Sequence, residues 1–260
     1  MNKLQFLVYF IHITIFIGII IPDTKFYTYY YSKKYFPIIF YTIITFTTMT
    51  FYQLACGGPG FIDSEDNQPL ECENLFFCQK CQKYIPVRAS HCKECDKCVL
   101  RRDHHCPFLG ICIGMNNHFY FLVYLFFENI FCIMSIQNYI PGMKDGLPFV
   151  KWLYTSLPST TFLCLSMVII IQPILLFPFH VYLMFSNRTT WELMKKPTIS
   201  YLRKWFYSMS PFSHGLINNA KEFITMRWTH PIYSIPASDE DFAQWRADNS
   251  CVSNDKYECC

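Results

Sequence analysis

Apolar residues along this chain fall into four long runs, which a polar cysteine-rich region and a polar tail interrupt. The runs are Leu4–Pro22, Tyr35–Ala55, Phe119–Ile140 and Thr160–Phe185, and only the third contains a charged residue, Glu128. An α-helix needs roughly 20 apolar residues to cross a bilayer. The pattern therefore predicts four transmembrane helices. The first run is expected to be a helix rather than a signal peptide, because no small-residue cleavage site follows it.

Composition and charge placement agree with a membrane protein. Hydrophobic residues make up 52% of the chain and charged residues 16%, against about 25% charged in soluble domains. If both termini and the region between the second and third runs face the cytosol, seventeen of the 22 Lys and Arg residues lie on that side, as the positive-inside rule requires. The net charge of +3 is too small to favour nucleic-acid binding.

The runs divide the chain into four predicted parts. These are a first transmembrane hairpin (1–55), a cytosolic cysteine-rich module (56–118), a second transmembrane hairpin (119–185) and a cytosolic tail (186–260), whose first part, to about Trp228, is predicted to form amphipathic helices. The module has little hydrophobic periodicity, as expected when bound metal supplies the folding energy. The predicted fold class is an all-α integral membrane protein, with four transmembrane helices and a zinc-stabilised module between the second and third.

Metal-ligating side chains are concentrated in the module. Seven cysteines and three histidines lie within CQKCQKYIPVRASHCKECDKCVLRRDHHCPFLGIC, from Cys78 to Cys112. Cys-x2-Cys spacing lets two thiolates bind one zinc ion, whereas cysteines three residues apart are poor disulfide partners and the inferred compartment is reducing. Two tetrahedral zinc ions use eight of the ten ligands, and a surplus thiol beside a surplus imidazole would form a nucleophile and a base. Spacing alone does not say which ligands share an ion.

The same string resembles the cysteine-rich domain of the DHHC protein S-acyltransferases. The resemblance continues to Gly114, Asn117 and Phe121, and two tail segments, NRTTWE from Asn187 and FSHGLINN from Phe212, are similar to motifs that follow the last span in that family. The chain departs from the family pattern at two positions. Phe108 replaces the Trp that usually follows Cys-Pro in the family, and we expect this change to alter substrate fit rather than chemistry. Ile111 replaces the Asn that usually precedes the last ligand cysteine.

The resemblance implies a role for each ligand. One zinc ion would take Cys78, Cys81, His91 and Cys98, and the other Cys92, Cys95, His105 and Cys112. The remaining pair would react: Cys106 as the nucleophile, His104 as the general base that accepts its proton, and Asp103 as the group that orients His104. Both zinc ions would be structural, because protein ligands fill all four positions.

The resemblance also implies the substrates. Cys106 would take a long-chain acyl group, foremost palmitoyl, from acyl-CoA and pass it to cytosolic cysteines of membrane-associated proteins, at an endomembrane or the plasma membrane. The acyl chain would lie within the helix bundle. The coenzyme A phosphates need cationic partners, for which four residues are the main candidates: Arg101, Arg102, Lys195 and Lys196. Anchoring to phospholipid headgroups explains the same residues equally well.

Two other functions fit parts of the pattern. A catalytically silent, zinc-stabilised membrane scaffold would keep the metal ligands, but it would not need Asp103, His104 and Cys106 together. A metal transporter would need polar ligands inside the spans, where few are present. His180, in the fourth run, is expected to be packed or interfacial, and His118 is not expected to bind metal because eight ligands are already assigned.

Overall fold

The computed structural model describes residues 10, 35–62, 75–199, 201–202 and 210–233, and every structural statement below concerns these residues. The first predicted span, Leu4–Pro22, lies outside them apart from Phe10. Contacts divide the chain into two compact units. One comprises 1–56 and 120–178, and the other comprises 57–119 and 179–260.

Six α-helices occur in the described part of the chain. They are α1 (Phe36–Cys56), α2 (His118–Tyr139), α3 (Phe149–Thr155), α4 (Leu157–Ser186), α5 (Thr190–Lys195) and α6 (Leu216–Thr229). Short 3-10 turns follow α2 at Ile140–Gly142 and α5 at Lys196–Thr198. The connection between the third and fourth apolar runs, residues 141–159, thus contains a helix, α3, that the hydrophobic pattern did not predict.

Three of these helices are long and apolar enough to cross a membrane. The spans are Ile38–Cys56, His118–Tyr139 and Leu157–Ser186, and they coincide with the second, third and fourth predicted runs. They support a helical membrane protein, and the count of four is not tested because the first run is not described.

Polar residues within α1 are satisfied without water. The hydroxyls of Thr42, Thr45, Thr47 and Thr50 each donate to the carbonyl four residues earlier, at 2.7–2.9 Å. Such bonds remove the penalty that a free hydroxyl would carry in hydrocarbon. The helix can therefore carry these four hydroxyls and still serve as a span.

Apolar side chains join the three long helices in the first unit. Phe40 of α1 lies in a buried cluster with Phe131, Cys132, Met134 and Tyr139 of α2, against which residues of α4 pack. Asn129 donates to the carbonyl of Pro173 at 3.0 Å, and so adds a polar bond between α2 and α4.

The cysteine-rich module consists of three short antiparallel hairpins. Their strands are β1 (Leu75–Cys78) with β2 (Lys83–Pro86), β3 (Ser90–Cys92) with β4 (Lys97–Val99), and β5 (His104–Cys106) with β6 (Ile111–Ile113). The preceding segment adds to the second hairpin through a bridge between Phe61 and Val99. The all-α description therefore holds for the spans but omits these strands, which are too short to show a period-two pattern.

Two small apolar clusters lie in the described part of the module. Ile62, Ile85 and Cys98 form one, and Cys92, Val99 and Cys112 form another. Three of the six members, Cys98, Cys92 and Cys112, are predicted ligands, so metal and apolar packing occupy the same positions. This overlap agrees with folding that depends on metal.

Candidate functional site

Four predicted ligands meet between the first two hairpins. Cys78, Cys81, His91 and Cys98 bring their ligand atoms within 4.8 Å of one another. Cys81 Sγ lies 3.2 Å from His91 Nδ1 and 3.5 Å from Cys98 Sγ. Cys78 ends β1 and Cys81 lies in the turn that follows, and facing positions in the register of β3 and β4 supply His91 and Cys98.

A second group of four joins the second and third hairpins. Cys92, Cys95, His105 and Cys112 also lie with their ligand atoms within 4.8 Å. Cys95 Sγ is 3.4 Å from His105 Nδ1 and 3.5 Å from Cys112 Sγ. His105 and Cys112 are opposite each other in the register of β5 and β6.

Both groups have the size and chemistry of a tetrahedral zinc site. Zinc binds thiolate at about 2.3 Å and imidazole at about 2.0–2.1 Å, which places neighbouring ligand atoms roughly 3.5–3.8 Å apart. The measured separations of 3.2–3.7 Å fall close to these edges. All eight cysteines and histidines could therefore hold two metal ions, in the two sets that the resemblance implies. The six cysteines among them are free thiols rather than disulfides.

Strand β5 separates the metal ligands from the remaining pair. Successive side chains of a strand project to opposite faces. His105 points to the second ligand group, so His104 and Cys106 share the other face. The tight turn after Cys106 is closed by the amide of Gly110, which donates to the Cys106 carbonyl at 2.8 Å. The alternation brings an imidazole beside a buried thiol.

Asp103 holds the His104 ring. Its Oδ2 lies 2.6 Å from His104 Nδ1. The same carboxylate accepts bonds from the amide and the hydroxyl of Thr190, at 2.7 and 2.8 Å, and its side chain is fully buried. This arrangement leaves Nε2 as the nitrogen of His104 that can exchange a proton with a reacting group.

The local charges favour an imidazolium at His104 and a carboxylate at Asp103. Burial would lower the pKa of His104, but its hydrogen bonds with Asp103 and Cys106 raise it to about 9. Burial would likewise raise the pKa of Asp103, yet the nearby imidazoles of His118 and His104 hold it well below its usual range. Asp103 therefore stabilises the imidazolium that forms once His104 has accepted a proton from the neighbouring thiol.

The Thr-Thr-x-Glu motif after the last span, from Thr189 to Glu192, makes defined contacts through each of its three motif residues. Thr189 caps α5 by accepting from the amide of Glu192, whose carboxylate accepts the Thr189 amide in return. Thr190 holds Asp103, as described. Glu192 also binds the buried Arg88 through two bonds of 2.7 and 2.9 Å. The motif thus fixes the carboxylate that orients His104.

The tail motif supports the same network. Arg88 lies between the rings of Phe212 and Tyr233, with centroids 4.4 and 4.5 Å from its guanidinium carbon. Asn219 accepts from the amide of His214 and donates to the carbonyl of Phe185 at the end of α4. The side chains of this motif are therefore structural in the described residues.

The predicted phosphate ligands divide into two kinds. Arg101 is buried and donates to Asn187 at 3.0 Å. Arg102 is buried too, with its guanidinium over the Trp191 ring and a bond to the carbonyl of His91. The prediction that these two arginines bind phosphates does not fit this burial, because their charge is used inside the fold. Lys195 is exposed and Lys196 half-buried.

Two residues that were not expected to take part in the site lie next to it. His118 and His180 are both buried, and His180 brings a ring nitrogen within 4.8 Å of ligand atoms of Asp103 and His104. Histidine in an apolar span was the available signal. It carried no information on the partner, because 62 residues separate the two rings.

The two departures from the family pattern occupy different environments. Phe108 is exposed in the β5–β6 turn. Ile111 is half-buried and pairs with Cys106 in the strand register. The residue that faces Cys106 on the neighbouring strand is therefore apolar.

Comparison with known proteins agrees with this site. The DHHC palmitoyltransferase family model matches residues 71–197. The chain is 32% identical to human palmitoyltransferase ZDHHC12, over 72% of this chain and 73% of that protein, and 29% identical to the mouse protein, over 79% and 80%. It is 34% identical to ZDHHC-type palmitoyltransferase 7 of Dictyostelium discoideum, where the match covers 61% of this chain and about a third, 36%, of that longer protein. The chain therefore belongs to the DHHC family of protein S-palmitoyltransferases, a family of membrane enzymes.

Proposed function

We propose that this chain transfers a long-chain acyl group, foremost palmitoyl, from acyl-CoA through an S-acyl-Cys106 intermediate to cysteines of membrane-associated proteins. One observation carries the proposal. Strand β5 places His104 and Cys106 on one face and the ligand His105 on the other. The two four-ligand groups thus leave one imidazole and one thiol together, with Asp103 bonded to the imidazole.

In the first step, the Cys106 thiol loses its proton to Nε2 of His104 and the thiolate attacks the thioester carbonyl. A new S–C bond forms at Cys106 and the bond between the acyl carbon and the coenzyme A sulfur breaks. The departing thiolate takes the proton from His104 and leaves as free coenzyme A. Asp103 keeps Nδ1 occupied throughout, so that the proton moves only at Nε2.

The second step reverses the roles. A cysteine of the acceptor protein gives its proton to His104, and its thiolate attacks the acyl group on Cys106. Cys106 leaves and regains a proton from His104. No electron is transferred in either step, so no redox partner is needed. When bound, zinc would supply folding free energy through its eight ligands and would leave the reaction to the three neighbouring residues.

We place the module and both termini in the cytosol, with the boundaries 1–55, 56–118, 119–185 and 186–260 for the four parts. The charge asymmetry supports this orientation. Lys195 and Lys196 remain the candidates for the coenzyme A phosphates, since they are the members of the predicted set that are not buried. The lipid bilayer and proteins apposed to it are the expected partners.

The proposal is tested by following label and coenzyme A separately. Purified protein is mixed with a series of labelled acyl-CoA thioesters in the absence of any acceptor. We expect one equivalent of coenzyme A to be released in a burst while the enzyme becomes labelled, and the label then to move to an acceptor cysteine peptide. Release of coenzyme A only when the acceptor is added would contradict a covalent intermediate.

A further inference from the structure

Two histidines that the proposed mechanism does not use lie buried beside Asp103. His118 begins α2 and His180 lies in the last two turns of α4, and both are almost inaccessible to solvent. His118 Nε2 is 3.0 Å from His180 Nδ1. The His180 ring centre is 5.8 Å from that of His104. The pair is thus next to the reacting residues without being among them.

Arg101 fixes the direction of the bond between the two histidines. Its Nη1 faces His118 Nδ1 at 3.5 Å. A guanidinium has donors only and stays charged, so the nitrogen that faces it must carry a lone pair. A neutral His118 therefore bears its proton on Nε2 and donates to Nδ1 of His180. Arg101, His118 and His180 form a chain of donors that runs in one direction.

Several features hold the Arg101 side chain against His118. It adopts a left-handed backbone conformation, with φ of 41°. Its other guanidinium nitrogen donates to Asn187 Oδ1, and its guanidinium carbon lies 5.8 Å from the centre of the Phe223 ring. The His118 ring packs edge-on against the same Phe223, at 4.8 Å between ring centres. Contacts therefore hold both Arg101 and His118, the first two members of this series of hydrogen-bond donors.

The proton on His118 has a competing acceptor. Nε2 of His118 lies 3.8 Å from Asp103 Oδ1, beyond hydrogen-bond distance but near enough for a small rotation to close, against 3.0 Å from His180 Nδ1. That oxygen already accepts the amide of Thr190, while Oδ2 accepts the Thr190 hydroxyl and holds His104. A fourth donor on this carboxylate would turn it and weaken its hold on the His104 ring.

We propose that His180 is a positioning residue, whose Nδ1 takes the proton of His118 and so keeps His118 from competing with His104 for Asp103. The inference rests on the proposed function, in which Asp103 orients the base. Its distinct claim is that an acceptor atom at the δ position of residue 180 is needed for fast acylation of Cys106. The other ring nitrogen, Nε2, is not needed for this role.

The δ position can be separated from the ε position by substitution. His180→Asn keeps an acceptor oxygen at a δ atom, His180→Gln moves the amide to the ε atoms, and His180→Phe keeps a ring without any acceptor. For each variant we would measure the single-turnover rate of acyl-enzyme formation at saturating acyl-CoA, the half-saturating acyl-CoA concentration, the zinc content and the melting temperature in detergent.

We expect His180→Phe and His180→Gln to slow acylation by about 10- to 100-fold, with half-saturation and zinc content unchanged, because the ring of His104 is misplaced. His180→Asn should recover most of the rate. In a His118→Phe background, which removes the competing donor, His180→Phe should have little further effect.

Three results would overturn the inference. One is an unchanged rate in His180→Phe when the wild type acylates normally. Another is recovery by Gln rather than Asn, which would make the ε nitrogen the functional atom. The third is loss of zinc or melting temperature in proportion to the rate in all three variants, which would indicate a merely structural role. Absence of acylation in the wild type would instead contradict the proposed function itself.

Discussion

At the scale of single residues, the two adjacent histidines of the Asp-His-His-Cys string have opposite surroundings. His105 lies among thiols, with Cys95 Sγ at 3.4 Å, whereas His104 is bonded to the carboxylate of Asp103. The alternation of β5 is enough to produce this division. Neighbours of the same residue type can therefore serve as each other's control.

The pair gives a prediction with a built-in control. His104→Ala should keep both zinc ions and the fold but slow acylation of Cys106 by roughly 10²- to 10⁴-fold, since it removes the general base. His105→Ala should lower the zinc content and the melting temperature first, and activity only as a consequence. Metal analysis and single-turnover labelling on the same preparations check both. Zinc loss in His104→Ala would contradict the division of roles.

Much of this residue-scale picture could be predicted from the sequence, and the exceptions share a cause. His104 and Cys106 are two residues apart, so local geometry alone brings them together. The family of enzymes that the string indicates is confirmed by the comparisons. The prediction that Arg101 contacts coenzyme A phosphates does not fit its burial, because sequence shows its charge but not its partner Asn187, 86 residues away. The His118–His180 bond was missed for the same reason.

At the scale of elements, the module depends on close approach between its hairpins. Gly114 follows β6, and a Cβ there would lie 2.5 Å from the side chain of Val99 and 2.6 Å from the carbonyl oxygen of Pro59. The backbone at Pro59 cannot shift to relieve such a contact without a large cost in free energy. The hairpins themselves were not predicted, because three-residue strands rich in metal ligands carry neither strand nor helix periodicity.

Gly114→Ala should therefore disrupt the module. We expect a loss of at least about 2 kcal/mol in the free energy of unfolding, together with weaker zinc retention against a chelator. Gly146→Ala is the control, since no atom lies within 4 Å of its Cβ and only the left-handed φ of 71° resists it, which costs about 1 kcal/mol. Equal behaviour of the two variants in thermal unfolding would contradict the packing argument.

At the scale of the molecule, one buried ion pair links distant parts of the sequence within the second unit. Arg88 belongs to the cysteine-rich module, Glu192 to α5 after the last span, and Phe212 and Tyr233, which enclose the guanidinium, to the tail. The spans could be predicted from composition because lipid imposes a length and an apolar surface on them. The bond between Arg88 and Glu192 could not be predicted, because nothing in local composition identifies a partner 104 residues away.

The pair should behave as a buried salt bridge. Arg88→Met or Glu192→Met alone should destabilise the protein by about 3–5 kcal/mol, because each leaves a charge buried without its partner. The double variant Arg88→Met/Glu192→Met should be more stable than Arg88→Met alone, although the capping bond of Glu192 is lost with it. Melting temperatures in detergent, arranged as a double-mutant cycle, measure the coupling. Additive losses would show that the two groups do not interact.

The proposed orientation predicts where glycans attach. Asn187-Arg188-Thr189 is a formal acceptor sequence for N-glycosylation, yet we place it in the cytosol, and the Asn187 side chain is buried and bonded to Phe212 and Glu222. It should carry no glycan in eukaryotic membranes. A reporter acceptor inserted in the 141–159 connection should be glycosylated. A glycosidase-sensitive mass shift in the unmodified protein would reverse the topology.

The central claim is that Cys106 reacts and does not bind zinc, and one paired measurement tests it most directly. Zinc content and hydroxylamine-sensitive acyl labelling are determined together on purified wild type, Cys106→Ser and Cys95→Ala. The account predicts two zinc ions with labelling in the wild type, two zinc ions without labelling in Cys106→Ser, and reduced zinc without labelling in Cys95→Ala. Labelling that persists in Cys106→Ser, or zinc that is lost from it, would contradict the account.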